Sequence, residues 1–528
     1  MADPWPLVAG LALGLVPRLV FDGKGERRKS VAVLVWIFGA AVLLLRALRT
    51  APNDDEVFYL AQSWAARIGD TAGDLPMRSL VFRPFLLPPW PPSVALVAGR
   101  VATVIAMVVS ALAVMRLVRR AGVHPADAAL AGALTLVWLT NGADGVVLRP
   151  EAFANAAVML AVTLLIAPPA RWRAGPATGA AFLALTLAAS ISHRRLALVP
   201  LALGVRLWSL RGRPVRAELA WAAGGVAAGL LPSLLYITWA DSFASVWYWN
   251  WTFVTQHSWV RRGGLWIRFP MAPLLVGAVG AAAAVLDRRE RSPVALMMAV
   301  FWLGSTALAI FVPFTLPYAL GLWFALSIAL AAWLASRFLP SPVSPAGRRV
   351  YAAAVGVLGL TPLLGRGVVR LVRSPPPVRS ELALIDWLHE SAAGGKVACV
   401  APYHPIKAAN AWRLWNAWWY CYLRNPAFNR ELNPDLVDML RSDTARIIEW
   451  DPWPEASGYR NVLDYAVINR FLSRPEAEVV SLGLRKDYRL VRWNGPLPER
   501  FGGGRFLVLR TVPLDARVVV LRDDRIAP

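Results

Sequence analysis

Long apolar runs separated by short polar loops recur along roughly the first 370 positions of the chain. Their lengths approach the roughly 20 residues that a bilayer-crossing helix needs. They predict spans at about 5–21, 30–48, 93–115, 126–140, 152–169, 176–191, 196–208, 219–239, 265–286, 294–312, 318–336 and 350–369. The predicted fold is therefore a polytopic α-helical membrane protein of about 11–12 transmembrane helices. Pro17 and Arg18 interrupt the first run, which reads either as a span or as a surface helix. The pair at 176–208 is short and broken at "SISHRR". Discontinuous helices at membrane depth are tolerated where they line a cavity.

The pattern changes near "RSPPPVRS" (373–380), which divides the chain into a membrane domain, residues 1–370, and a mixed domain, residues 371–528. In the second part "ELALIDWLHESAAGG" and the capped "NPDLVDMLRSD" have helical spacing, while "KVACVAPY", "ARIIEW", "RFLVLR" and "RVVVL" have strand character. Their alternation predicts a small α/β domain.

Composition agrees with the pattern: 57% of residues are hydrophobic, only 17% are charged, and mean hydropathy is +0.47. A net charge of +23 raises the question of nucleic acid, and the placement of the charge argues against it. The basic residues cluster in short loops, "DGKGERRK" (22–29), "RLVRRAGVH" (116–124), "ARWRAG", "LRGRPVRAE", "DRRERS" and "SRFLPSPVSPAGRR". The positive-inside rule puts these loops in the cytoplasm. By parity, residues 49–92, 141–151, 192–195, 240–264, the 313–317 turn and everything after about 370 face outward, so the C-terminal α/β domain is expected to be extracytoplasmic (periplasmic). Arg outnumbers Lys, and Ala, Gly and Pro are abundant, a composition common in GC-rich bacterial genomes, and the expected location is a bacterial inner membrane. The N-terminus lacks the features of a signal peptide. Cys399 and Cys421 both lie in the outward part, where a disulfide and two free thiols are both compatible with the sequence.

The first outward loop carries "APNDDEVFYLAQSWAARIGD" (51–70), with Asp54, Asp55 and Glu56 adjacent in a basic chain. Structure alone accounts for them in one reading: Asn53 and Glu56 form a capping-box pattern, and the aspartates occupy a first turn that favours anions. Val57, Leu60, Trp64 and Ile68 then mark the apolar face of a helix lying along the membrane surface. Chemistry accounts for them in the other. Adjacent carboxylates repel, which raises at least one pKa and improves it as a general base. A neighbouring acid orients that base or holds a divalent cation.

This acidic loop, with Tyr59 in "DEVFYLAQ" and a surface helix behind it, resembles the GT-C superfamily of polyprenyl-phosphate-dependent glycosyltransferases. The branch with protein O-mannosyltransferases and lipid A aminoarabinose transferases is the most similar, and the resemblance covers the membrane half in its order of parts. It implies that Asp55 is the catalytic acid residue, with Glu56 as its partner and Asp54 as a third candidate. In "NGADGVVLRPEAF" it singles out Asp144, Arg149 and Glu151. In "SISHRRLALVP" it implies that His193, Arg194 and Arg195 grip the lipid phosphate, Arg194 foremost, and in "PFTLPYALGLW" that Tyr318 approaches it. The implied activity is inverting transfer of a sugar from a polyprenyl-phosphate donor to a glycan, lipid or protein hydroxyl at the outer face of the membrane. The nearest relatives mostly work without a metal, although Asp54, Asp55 and Glu56 could hold a divalent one.

Simpler roles stand beside these. Arg194 and Arg195 also suit interfacial anchoring, and Arg149 suits a salt bridge to Glu151 or Asp144. "SVWYWNWTFVTQHSWVRR" (245–262) reads as an aromatic belt or as a sugar-stacking surface that includes Tyr248, Gln256 and His257. Trp412, Trp415, Trp419 and Tyr422 have the spacing of a packed helix face, with an acceptor platform as the sharper alternative. No HExxH, Walker A, nucleophile-elbow or dinucleotide pattern is present. A transporter or flippase for a lipid-linked sugar, or a non-catalytic relative of the transferases, are the rival functions.

Overall fold

The computed structural model describes residues 54–67, 76–141, 148–168, 172–210, 215–239, 243–247, 271–287, 292–311, 321–338, 377–399, 406–407, 409–410, 445–451, 460–468, 472–497 and 504–526, with isolated positions at 36–48 and at 440. In the first part the helices are α1 (Asp54–Arg67), α2 (Pro76–Leu86), α3 (Pro92–Arg120), α4 (Pro125–Asn141), α5 (Pro150–Ile166), α6 (Ala174–Ile191), α7 (Leu198–Ser209), α8 (Val215–Trp239), α9 (Phe243–Trp247), α10 (Met271–Leu286), α11 (Pro293–Phe311) and α12 (Gly321–Phe338). Pro76, Pro92, Pro125, Pro150 and Pro293 each open a helix, where a fixed φ helps and the missing N–H costs nothing. Pro92–Arg120, Ala174–Ile191 and Val215–Thr238 are long and apolar enough to cross a membrane, by length and composition; Pro150–Ile166, Pro293–Ala307 and Gly321–Leu334 are shorter apolar helices. The spans expected at 5–21 and 350–369 lie outside the described residues, as does most of 30–48.

The expected break at "SISHRR" is present. α6 ends at Ile191, Ser192 is extended, and a 3-10 turn over His193–Ala197 leads into α7. α6 and α8 approach closely because both carry small residues: a Cβ added at Gly225 would collide with the Gly179 carbonyl, and one at Gly229 with Thr186. Across α11 and α12, Trp302 and Trp323 stack at 6.2 Å. Their ring N–H groups donate to Ser327 and Thr306, both at 2.8 Å, so the buried indoles are satisfied.

α2 falls in a stretch read from sequence as loop. Arg83 and the internal Pro84 hide its helical character. It packs beside α1, with Tyr59 stacked on Phe82 at 5.8 Å and Phe82 edge-on to Phe153 of α5 at 6.0 Å.

The C-terminal domain has a six-stranded mixed sheet in the order β2-β1-β3-β5-β4-β6. Its strands are β1 (Lys396–Ala398), β2 (Ala409–Asn410), β3 (Ala445–Glu449), β4 (Tyr488–Trp493), β5 (Arg505–Leu509) and β6 (Val518–Val520). β1 pairs in parallel with β2 and β3; β3–β5, β5–β4 and β4–β6 are antiparallel. The expected α/β character is therefore present, and β2 and β4 are additions to the strands read from sequence. Helix α13 (Pro377–Ala392) turns Leu384, Trp387, Leu388 and Ala392 onto Val397, Ile447, Val491 and Phe506 of the sheet. Its neighbouring Ile385 joins a different cluster, with Val57, Leu60, Phe82, Leu86, Ala95, Leu96 and Leu148 of the membrane half. Cys399 is buried, and Cys421 lies outside the described residues.

Candidate functional site

The site begins with the inward stripe of α1. Glu56, Val57 and Leu60 are 0% exposed and Ser63 is 1% exposed. Val57 and Leu60 were expected there and Trp64 is half-buried as well, while Ile68 lies outside the described residues. Glu56 was not: expected with Asp54 and Asp55 at the membrane surface, it is enclosed completely. Asp54 and Asp55 open α1, so their backbone is fixed by the same helix.

What encloses Glu56 is Arg100, from the interior of α3. Its Nε donates to Oε1 at 2.8 Å and its Nη2 to Oε2 at 2.6 Å, a planar fork meeting a carboxylate. Both side chains are 0% exposed. A further Arg100 nitrogen, Nη1, donates to the Ala47 carbonyl at 3.2 Å. Two charges in an apolar setting are tolerable only when they meet in this manner. Sequence reasoning passed over Arg100, yet a signal was available: a single Arg inside the apolar run "LVAGRVATV" is rare in a membrane helix and asks for a partner.

The same carboxylate reaches the segment that leads into a third helix. The Leu148 N–H donates to Glu56 Oε1 at 2.6 Å. Leu148 is followed by Arg149, the N-cap of α5, then Pro150 at its first position and Glu151 in its first turn. Arg149 is 6% exposed, with its Nε and Nη1 inside the protein. Glu151 Oε2 is buried and accepts no hydrogen bond among the described residues. Two turns into α5, about 9 Å along its axis from Arg149, Asn155 accepts a hydrogen bond from Arg195 Nη2. Arg195 comes from the 3-10 turn that breaks α6 from α7 and is 7% exposed.

The start of α5 therefore gathers Arg149, Glu151 and, through Asn155, Arg195, and Glu56 fastens the acidic helix to the residue before Arg149. Arg149 stands at the positive end of the α5 dipole, a place suited to an anion, while Arg195 is held farther along that helix at Asn155. His193 and Arg194 lie in the same 3-10 turn as Arg195. Tyr59 is half-buried and is held by Phe82. Asp144, Tyr248, Gln256, His257 and Tyr318 lie outside the described residues, as do Trp412, Trp415, Trp419 and Tyr422. Asn155 is a further residue that sequence reasoning missed; a neutral amide in an apolar helix leaves little trace. Glu56 fits a metal poorly, since both its oxygens already face a guanidinium, and among the described residues no group of three or more His, Cys, Asp and Glu converges. A cation in this loop would have to be held by Asp54 and Asp55.

No family model and no curated protein matches the chain in sequence. Its structure is similar to that of an oligosaccharyltransferase from Archaeoglobus fulgidus in the apo form, with a TM-score of 0.50 at 10% identity over 94% of this chain and 76% of that one. Lower similarity is found to ArnT from Cupriavidus metallidurans: bound to undecaprenyl phosphate it gives a TM-score of 0.41 at 17% identity, and in the apo state 0.43 at 16%, each over 72% of this chain and 84% of that one. The first match extends over nearly the whole length of this chain and identifies the architecture: the chain shares the overall fold of that archaeal oligosaccharyltransferase.

Proposed function

We propose that the protein is an integral-membrane, inverting glycosyltransferase that moves a sugar from a polyprenyl-phosphate donor to an acceptor hydroxyl at the outer face of a bacterial inner membrane. The observation that carries this reading is the hydrogen bond from Leu148 to Glu56, which joins the acidic helix to the start of α5, one residue from Arg149. Donor and acceptor chemistry need those two parts together. Asp55, next to Glu56, is the base that takes the acceptor proton, with Asp54 as its neighbour. Glu56 holds α1 in position rather than exchanging protons, because its oxygens are engaged by Arg100 and Leu148. Arg149 and Arg195 receive the developing charge on the departing lipid phosphate, where charge-assisted hydrogen bonds act most strongly. His193, Arg194 and Tyr318 complete the donor pocket, and Tyr59, Asp144, Glu151, Tyr248, Gln256 and His257 line the substrates. Holding both substrates in line supplies much of the rate. The acceptor is a glycan, a lipid or a protein.

The topology that goes with this reading has the basic loops in the cytoplasm and the first loop outward. The C-terminal domain faces the same side as that loop, which agrees with the direct contacts between them.

Turnover of a labelled polyprenyl-phosphate sugar by the full chain in lipid nanodiscs tests the proposal. Asp55→Asn is expected to lower it by about 10²–10⁴-fold, and Arg149→Ala by about 10²–10³-fold, mainly in kcat, both with normal thermal unfolding. A variant neutralised at Asp54, Asp55 and Glu56 together that turns over like the natural chain would sink the proposal. Lipid movement between leaflets with no sugar transfer would favour a flippase.

A further inference from the structure

Among the described residues, hydrogen bonds between the C-terminal domain and the membrane half fall on one short segment, the elbow between α2 and α3. Asp386 of α13 accepts from the Ser93 backbone N–H at 2.9 Å and from the Ser93 hydroxyl at 2.6 Å. Ser93 is the second residue of α3, which has no side-chain cap of its own. Asp386 thus performs from another domain the service that an N-cap residue performs locally, and it brings a negative charge to the positive end of a 29-residue helix. Five residues before Ser93, the second contact begins. Lys407 is 8% exposed, and its ammonium donates to the carbonyls of Pro88 and Trp90, both at 2.7 Å. Lys407 has a left-handed backbone, φ 62°, which an unbranched but non-glycine residue adopts at some cost. Between these two polar grips lies an apolar one: Ile385 and Ile406, 4% and 2% exposed, enter the cluster that contains Val57 and Leu60 of the acidic helix.

From this geometry we infer that Asp386 and Lys407 are positioning residues: by fixing the 88–93 elbow and seating Ile385 and Ile406, the C-terminal domain sets the position of α1 and hence of Asp54 and Asp55. α1 is short, amphipathic and joined to its neighbours by chain on both sides. Its inner face rests on a layer to which the C-terminal domain contributes, so the domain's docking and the helix's position are one equilibrium. Carried into catalysis, the inference rests on the glycosyltransferase reading above, since only that reading gives the aspartates a reaction to serve. It predicts that a C-terminal domain loosened at its grips leaves donor binding intact and misplaces the base. Arg149 opens α5, and Arg195 stands in the 3-10 turn and donates to Asn155 of α5.

The test is hydrogen–deuterium exchange on the full chain in lipid nanodiscs, combined with turnover. In Asp386→Asn and Lys407→Met, amides of 54–67 are expected to exchange about tenfold faster, the loss of one charge-assisted hydrogen bond, while 174–191 keeps its protection. Asp386→Glu and Lys407→Arg should recover part of the effect. Ser93→Ala removes only the hydroxyl bond and keeps the test open should Asp386→Asn fail to fold. In turnover, kcat falls and the donor KM is unchanged. If peptides of 377–410 loosen while 54–67 stays as protected as in the natural chain, the domain merely sits on the membrane half and the inference is overturned. A raised donor KM with unchanged kcat overturns it as well. If the natural chain transfers no sugar but the exchange pattern holds, the glycosyltransferase reading fails and the mechanical coupling stands.

Discussion

Glu56→Gln tests the centre of the structure. The substitution keeps the shape and removes the charge, so Arg100 remains as a guanidinium with 0% exposure that has lost the Glu56 carboxylate. Breaking one side of a buried pair costs about 3–5 kcal/mol, much of it the desolvation of the charge left behind. Replacing Arg100 as well removes that charge. In Glu56→Gln/Arg100→Met the Gln carbonyl still accepts from the Leu148 N–H, so most of the loss should be recovered. In Glu56→Leu/Arg100→Met the Leu148 amide loses its partner, a cost of about 1–3 kcal/mol. The expected order of stability is natural chain and Gln/Met variant together, then Leu/Met, then Glu56→Gln alone. Thermal unfolding followed by tryptophan emission in nanodiscs, supported by denaturant titration, reads this order. A single Glu56→Gln variant within about 0.5 kcal/mol of the natural chain, the range of ordinary surface changes, would refute the reasoning. So would a Gln/Met variant no more stable than the single one, because the cost would then not be that of a guanidinium deprived of Glu56.

Two other perturbations follow from the packing and the charges. Gly225→Leu would force α6 and α8 apart, because even a Cβ collides with the Gly179 carbonyl; a loss of about 1–3 kcal/mol or more is expected in the same unfolding assay, with Gly224→Leu, which meets open space, as the mild control. The C-terminal domain should weaken in acid through His389. Burial first, and then the Lys407 ammonium, pull its imidazole below the ordinary value of 6.5, against opposing contributions from Asp386, Glu390 and the Lys407 backbone. The folded form therefore binds the His389 proton less readily than the unfolded form, so stability is full above about pH 6.5 and declines as pH falls toward the depressed value. His389→Gln should flatten that decline in unfolding midpoints measured between pH 7.5 and 5 (about one tenfold step per unit); an unchanged slope would count against the assignment.

The sequence made some parts of this structure readable and concealed others for physical reasons. A membrane helix must satisfy its backbone internally and expose apolar side chains, so α3 to α8 and α10 to α12 announce themselves as apolar runs. The break between α6 and α7 was readable because three polar residues, His193, Arg194 and Arg195, stand between two apolar runs. α2 was not, since Arg83 and Pro84 interrupt a helix only 11 residues long. Strand β4 was concealed in "YRLVRW", where Arg489 and Arg492 break the apolar run although Tyr488, Leu490, Val491 and Trp493 are buried. In the site itself, the acidic candidates at 54–56 and the charged candidates at 149 and 151 were legible as residue types. Their assembly was not. The partner of Glu56 lies 44 residues on and the amide it accepts lies 92 residues on, distances over which local pattern carries no information.

The buried pair also explains why Glu56, of three adjacent acids, is the one enclosed. A carboxylate that must meet the Arg100 fork and the Leu148 amide together needs reach. Aspartate is shorter by one carbon–carbon bond, about 1.5 Å, which is more than hydrogen bonds of 2.6–2.8 Å can absorb. A rotation of α1 by one residue, about 100°, would offer Arg100 either Asp55 or the hydrocarbon of Val57, and neither satisfies it. The mid-helix arginine therefore selects one rotation and one register of α1 against its neighbours. The pair gains little net energy over well-packed apolar residues; what it provides is a unique placement of the helix whose first turn carries Asp54 and Asp55. Under the glycosyltransferase proposal, that unique placement serves a reaction that depends on the alignment of two substrates.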